Sequence, residues 1–186
     1  FDDLESFTLQ AMVWPTMPNR GCQVILGKWS EAEETGYALV IDDQGALALM
    51  IGDGPGAARV VSTGLALSAR IWCFVGASFD ASSGAVHLYQ EAMIEYPLRE
   101  STVELEATVA PGAPGRNNAP FMIAAAHGGE ARGTVFGARH YDGKIDSPRV
   151  ANRALGLDDM SGLMHRPIPS EAQSDMVAAW DFARGI

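Results

Sequence analysis

The stretch IWCFVGASFD ASSGAVHLYQ, residues 71–90, decides the fold. Two strand-like runs, Ile71 to Phe79 and Ala85 to Gln90, flank Asp80-Ala81-Ser82-Ser83-Gly84. An Asp side chain can bond the backbone that follows it, and Gly can take a positive φ. The stretch therefore reads as two antiparallel strands joined by a tight turn.

The same grammar runs outward in both directions. Phe7, Leu9, Ala11 and Val13 alternate with Thr8, Gln10, Met12 and Trp14, a period of two that makes the first set the core face. Pro15 and Pro18-Asn19-Arg20-Gly21 turn the chain into a second strand, Cys22 to Trp29. Gly36 to Ile41 and Ala46 to Ile51 flank Asp42-Asp43-Gln44-Gly45, a second hairpin. Thr102 to Val109, Phe121 to Ala126 and Lys144 to Ala151 follow, and Met176 to Phe182 closes the series. One short helix is expected at Leu157 to Met164, with Asp158 and Asp159 in the first turn where the helix dipole favours them. Residues 166–175, opening Arg166-Pro167-Ile168-Pro169-Ser170, read as an extended linker, and 176–186 as a returning or onward-leading strand. Short strands, frequent turns and almost no helix predict an all-β, two-sheet antiparallel jelly-roll sandwich with one short helix, a single domain over 1–186.

Composition narrows the partners. The chain is 47% hydrophobic and 19% charged, enough apolar material for a large core, and its net charge of −10 repels phosphate backbones and anionic lipid. No apolar run approaches the roughly 18 residues that a membrane-spanning helix needs. Cys22 and Cys73 each sit in an apolar strand with no C-x-x-C spacing, so they read as buried thiols, with a single disulfide as the alternative. That usage leans toward a reducing, cytoplasmic compartment. The opening Phe1-Asp2-Asp3-Leu4-Glu5 is neither an initiator methionine nor a signal peptide, and the sequence reads as a piece of a longer polypeptide.

Four blocks in order resemble the LamG-like family of concanavalin A-like jelly rolls. They are Phe7 to Thr16, then Ile25-Leu26-Gly27-Lys28-Trp29 with Gly36-Tyr37-Ala38-Leu39, then Trp72 to Asp80 with Gly84 to Tyr89, and Tyr141 to Leu155. A strand similar to the one that usually opens such domains, Met176-Val177-Ala178-Ala179-Trp180-Asp181-Phe182, here comes last. The domain is either circularly permuted or this strand opens the next part of a longer chain. If the strand completes the domain's own sheet, Trp180 and Phe182 share one face and pack into its core. The late strand and the cut start resemble the lectin-like region in large subunits of N,N-dimethylformamidase-type enzymes. That resemblance implies an accessory domain of a larger, iron-dependent amide hydrolase, whose partners are the other domains or sister subunits. A carbohydrate-binding module of a secreted or surface protein is the alternative.

No catalytic, cofactor or metal residue can be assigned. No nucleophile elbow, H-E-x-x-H or P-loop occurs, and Gly52-Asp53-Gly54-Pro55-Gly56 lacks the Lys-Ser or Lys-Thr of a phosphate loop. Glu104 and Glu106 share a strand face, but the third acid of a glycosidase strand is missing, which leaves a solvated face. His87 is expected on the outer face of its hairpin, and His127, His140 and His165 are scattered. Asp42, Asp43 and Asp53 could ligate calcium, but turn capping explains them equally well. Trp14, Trp29, Trp72 and Trp180 are the aromatic candidates for a sugar platform. Trp72 and Trp180 read as core, and Trp29, beside Ser30-Glu31, is the one with a chance of exposure, although packing is its favoured reading.

Overall fold

The computed structural model describes residues 1–94, 100–164 and 175–182. Its strands are β1 (Phe7–Pro15), β2 (Gln23–Ser30), β3 (Thr35–Ile41), β4 (Ala46–Asp53), β5 (Arg59–Ala66), β6 (Cys73–Phe79) and β7 (Ala85–Ala92). After them come β8 (Val103–Thr108), β9 (Met122–Ile123), β10 (Ala126–Ala131), β11 (Thr134–Ala138), β12 (Gly143–Ala151), the helix α1 (Leu157–Met164) and β13 (Met176–Ala179). They form two packed sheets. The first runs β13-β12-β1-β6-β7-β8, and the second β11-β10-β2-β3-β4-β5 with β9 against β2.

The period of two in β1 sets the interior. Phe7, Leu9, Ala11 and Val13 are all at most 1% exposed and face Leu39, Ile41, Leu47, Leu49 and Ile51 of the second sheet. Phe7 stacks on Tyr37 across the gap, centroids 4.4 Å apart, and touches Phe79 of its own sheet at 5.8 Å. Residues 71–90 form the expected hairpin, with Phe79 opposite Val86 and Cys73 opposite Ala92. A polar side chain also enters this interior. Gln90 accepts a bond from Thr63 Oγ1 at 2.7 Å and donates to Leu65 O at 3.1 Å, so both ends of its amide tie β7 to β5.

Both faces of the second sheet are buried along β2, β3 and β4. On its outside Val24, Ala38, Val40, Ala48, Met50 and Trp29 form a separate cluster. Outside the first sheet, Phe74, Tyr89 and Met12 receive Leu155, Met160 and Leu163. Leu155 is held by its backbone as well as its side chain. Its N–H donates to Thr8 Oγ1 (3.0 Å) and its carbonyl accepts from Ser78 Oγ (2.6 Å). These bonds fix where α1 begins.

Several expectations need correction. β5 and the β10–β11 hairpin were not anticipated. The strand expected at Phe121 to Ala126 is broken at Ala124, whose φ of 68° turns the chain between β9 and β10. The sandwich is not wholly antiparallel, because His127 of β10 meets Ser30 of β2 in parallel. Trp72 sits ahead of β6, only half-buried, because the core row begins one residue later at Cys73. The closing strand ends at Ala179, having paired with β12 (Val150 opposite Ala178). Trp180 packs against the core and stacks on Phe121 at 5.9 Å and Phe1 at 6.4 Å, but Phe182 is 43% exposed, because the strand has ended before it. Most of the 166–175 linker lies outside the described residues.

Replacing Gln90 with Leu strands the Thr63 hydroxyl and the Leu65 carbonyl between the sheets, and should lower unfolding free energy by about 1–3 kcal/mol in a urea titration. Trp180→Ala removes a half-buried ring from the core's margin. Its cost should be about 2 kcal/mol, below that of a fully buried aromatic.

Candidate functional site

Three places concentrate polar side chains. The first is an open cleft of about 680 Å³ at the loop end of the second sheet, lined by Asp2, Glu33, Asp53, Arg116, Asn117 and Asn118 among others. Much of its chemistry serves the fold. Asn117 donates from Nδ2 to Thr35 O (2.8 Å) and accepts from Ala119 N–H (3.0 Å). Asp2 pairs with the buried Lys28 ammonium at 2.8 Å, which holds its carboxyl below the usual range, and Arg116 pairs with Asp3 at 2.9 Å. Among the described residues, no aromatic ring lines this cleft.

The second place is the outer face of the second sheet. Trp29, the candidate sugar platform, is 2% exposed. Its indole lies on Gly52, where an added Cβ would come within 2.7 Å of the ring. Its Nε1–H donates to Glu31 Oε2 at 3.0 Å, and Glu31 accepts a two-pronged contact from Arg139 at 2.6–2.8 Å. Arg139 takes a left-handed φ of 47° to present its guanidinium there. Cys22 lies beside it, half-buried, its thiol raised by burial and eased back by Arg139, which disfavours the reactive thiolate. Cys73 is fully buried and pushed up to about 11 by burial. Both cysteines are free.

The third place is a groove between β8 and the start of α1, lined by Glu104, Glu106, Gly156, Leu157, Asp158 and Asp159. Glu104 and Glu106 are exposed, as the sequence suggests. They lie at the margin of their sheet, and α1 packs on the outside of that sheet beside them.

The remaining candidates are dispersed. His87 Nδ1 is 3.2 Å from both Ser78 Oγ and Leu155 O, so it borders the α1 anchor and is not a free outer-face side chain. His127 is the second residue of β10, and its Nδ1 is buried without a partner. His140 is exposed after β11, and His165 lies outside the described residues. Asp42 accepts from Gln44 and Ala46 N–H and from Ser62 Oγ, and Asp43 accepts from Cys22 N–H. Both therefore cap backbone. Trp14 is half-buried beneath the Lys144 ammonium, 4.7 Å from the ring centre. Among the described residues, no group of three or more His, Cys, Asp or Glu side chains is gathered to hold a metal. The donor set does not fit an iron centre.

Known proteins resemble this arrangement over nearly its whole length. A family model described as the concanavalin A-like lectin/glucanases superfamily matches residues 1–161. An N,N-dimethylformamidase beta subunit of an Alcaligenes species is 30% identical over 97% of the chain, and one from Paracoccus aminophilus is 28% identical over the same share. The chain spans only 24% of the length of each. Among solved structures, a proposed carbohydrate-binding protein of Bacteroides ovatus superposes with a TM-score of 0.62 at 17% identity, over 96% of this chain and 45% of that one.

These environments lead to two expected outcomes. Trp29→Ala should cost about 3–5 kcal/mol in thermal or chemical unfolding, as for a buried aromatic. Asp80 is held down to about 2 from 3.8, first by the Ser82 N–H and then by the Ser82 and Ser83 hydroxyls. Its folded-state value lies below its unfolded one, so its stabilisation is present above the ordinary carboxylate range and fades as pH falls toward 2. A carboxyl NMR titration should place its midpoint there, and Ser82→Ala should raise it.

Proposed function

The chain belongs to the concanavalin A-like lectin/glucanases superfamily, and from that premise we propose that it is a non-catalytic, lectin-like interaction module of a larger amide hydrolase of the dimethylformamidase kind. One observation carries the reading. Nearly all of the chain aligns with a quarter of two dimethylformamidase beta subunits. The side chains add support, since the carboxylates, histidines and cysteines singled out above pair with basic groups, cap turns, border the α1 anchor or sit apart. Hydrolysis needs a positioned acid–base pair, a nucleophile or a metal-bound water. Iron, where the parent enzyme uses it, would be held by residues elsewhere in that enzyme. The module's partners are then other domains or subunits of its parent, and two free thiols favour a cytoplasmic setting.

A sugar-binding role is the second reading. The loop-end cleft favours it, with Asp53, Asn118 and Glu33 able to meet hydroxyl groups, although among the described residues no aromatic ring lines the cleft to stack on a sugar.

The test has two parts. The purified chain, with and without added iron, should turn over neither N,N-dimethylformamide nor an oligosaccharide panel, and an antibody against it should detect a native polypeptide as long as the curated relatives. Turnover of an amide or a glycoside overturns the module reading. Micromolar binding of one sugar, abolished by Asp53→Ala, replaces it with the lectin reading.

A further inference from the structure

The sequence holds two Asp-Gly steps, Asp53-Gly54 and Asp142-Gly143. Such a step can rearrange with no reagent but water. The glycine nitrogen attacks the aspartate Cγ, a C–N bond forms, and the amide proton leaves with the carboxyl hydroxyl as water. The cyclic imide then takes water back at either carbonyl. One product is aspartate again, and the other is isoaspartate, whose main chain runs through the side-chain carbons. Glycine permits the attack because no Cβ shields its nitrogen and its backbone turns freely. The peptide after the aspartate must rotate onto the side chain, so a clamped step is inert and a loose one reacts. Asp142-Gly143 is clamped. The Asp142 N–H donates to Gln23 Oε1 at 2.9 Å, its carbonyl accepts from Thr16 N–H at 2.8 Å, and its carboxylate meets Arg20 at 3.3 Å. Gly143 is paired with Pro15, and a Cβ added there would collide with the Trp14 carbonyl and the Tyr141 hydroxyl.

Asp53-Gly54 is the opposite case. Asp53 is the last residue of β4 and is exposed, and among the described residues neither a hydrogen bond nor an ion pair holds its carboxylate. A Cβ added at Gly54 would meet nothing within 4 Å, and Pro55 and Gly56 beyond it are exposed. Two bonds shape this turn, Gly56 N–H to Glu34 Oε2 at 2.6 Å and Ala57 N–H to Gly54 O at 3.1 Å. Neither engages the Gly54 nitrogen. The pairing of Asp53 with Thr35 is the end of its ladder, where opening costs least. We propose that Asp53 is a self-modification site, at which the ageing chain converts aspartate to isoaspartate while Asp142 stays intact. The change falls on the loop-end cleft, which Asp53 and Gly54 both line. An extra methylene enters the main chain there, and the carboxylate is carried to a new position. This chemistry is independent of both the module and the sugar readings.

The test is to incubate the folded 186-residue chain at physiological temperature and pH in water enriched in heavy oxygen, then digest it and fragment the peptides by electron transfer. Isoaspartate carrying heavy oxygen is expected in the peptide that contains Asp53. It should form there roughly tenfold or more faster than at Asp142, since only the Asp142 step must break tertiary bonds to react. Asp53→Glu should abolish the product, because the longer side chain would have to close a six-membered ring. In chemical denaturant both steps are loose, and the two rates should converge. Absence of isoaspartate at Asp53, or equal rates at the two steps in the folded chain, overturns the proposal. So does a rate difference that persists undiminished in denaturant, which would trace it to neighbouring residues and not to the fold.

Discussion

Everything in this sandwich depends on two sheets meeting through interdigitated apolar rows, and Phe7 stacked on Tyr37 is a ring contact that spans them. Phe7 belongs to a strand flanked on both sides by others, so its position fixes β6 and β12 together. Tyr37 belongs to the middle of the opposing sheet. With the two rings stacked, the inward rows of both sheets are in register, and Gln90 adds a polar tie across the gap. Such a buried amide is stabilising only when both its donor and its acceptor are met, as they are here.

The outer faces obey different rules. Outside the first sheet, polar side chains at Thr8 and Ser78 grip the backbone of Leu155 and set a helix over an aromatic pair, Phe74 and Tyr89. Outside the second, glycines do the corresponding work. Gly52 makes room for Trp29, and Gly128 and Gly129 make room for Phe136. In both cases large rings lie down on a strand surface and spare the protein a second covering layer.

That difference explains what could be read from the sequence. β1, the residue 71–90 hairpin and α1 were legible because their signals are local, in alternation, turn chemistry and acidic residues at a helix start. The burial of Trp29 was not, because its neighbours Ser30 and Glu31 suggest a surface and the glycine beneath it lies on β4, far along the chain. The β10–β11 hairpin was hidden for the same reason. Gly128-Gly129 looks like a loop until Phe136 is laid across it. Phe182 misled in the opposite sense, since its aromatic character implied burial, whereas the strand that would have carried it inward stops at Ala179. Among site candidates, the capping roles of Asp42 and Asp43 could be argued from turn chemistry alone, but the place of His87 beside Leu155 required the tertiary fold.

The position of β1 has a consequence for biosynthesis. Thr8 receives the Leu155 N–H from 147 residues away, and the same strand pairs with β12 along most of its length. A chain emerging from the ribosome therefore makes β1 long before β12, one of that strand's two neighbours. Long-range pairing of this kind folds slowly and leaves sticky surface uncovered in the interval. A message truncated before β12 should therefore yield an aggregating product in place of a smaller folded one.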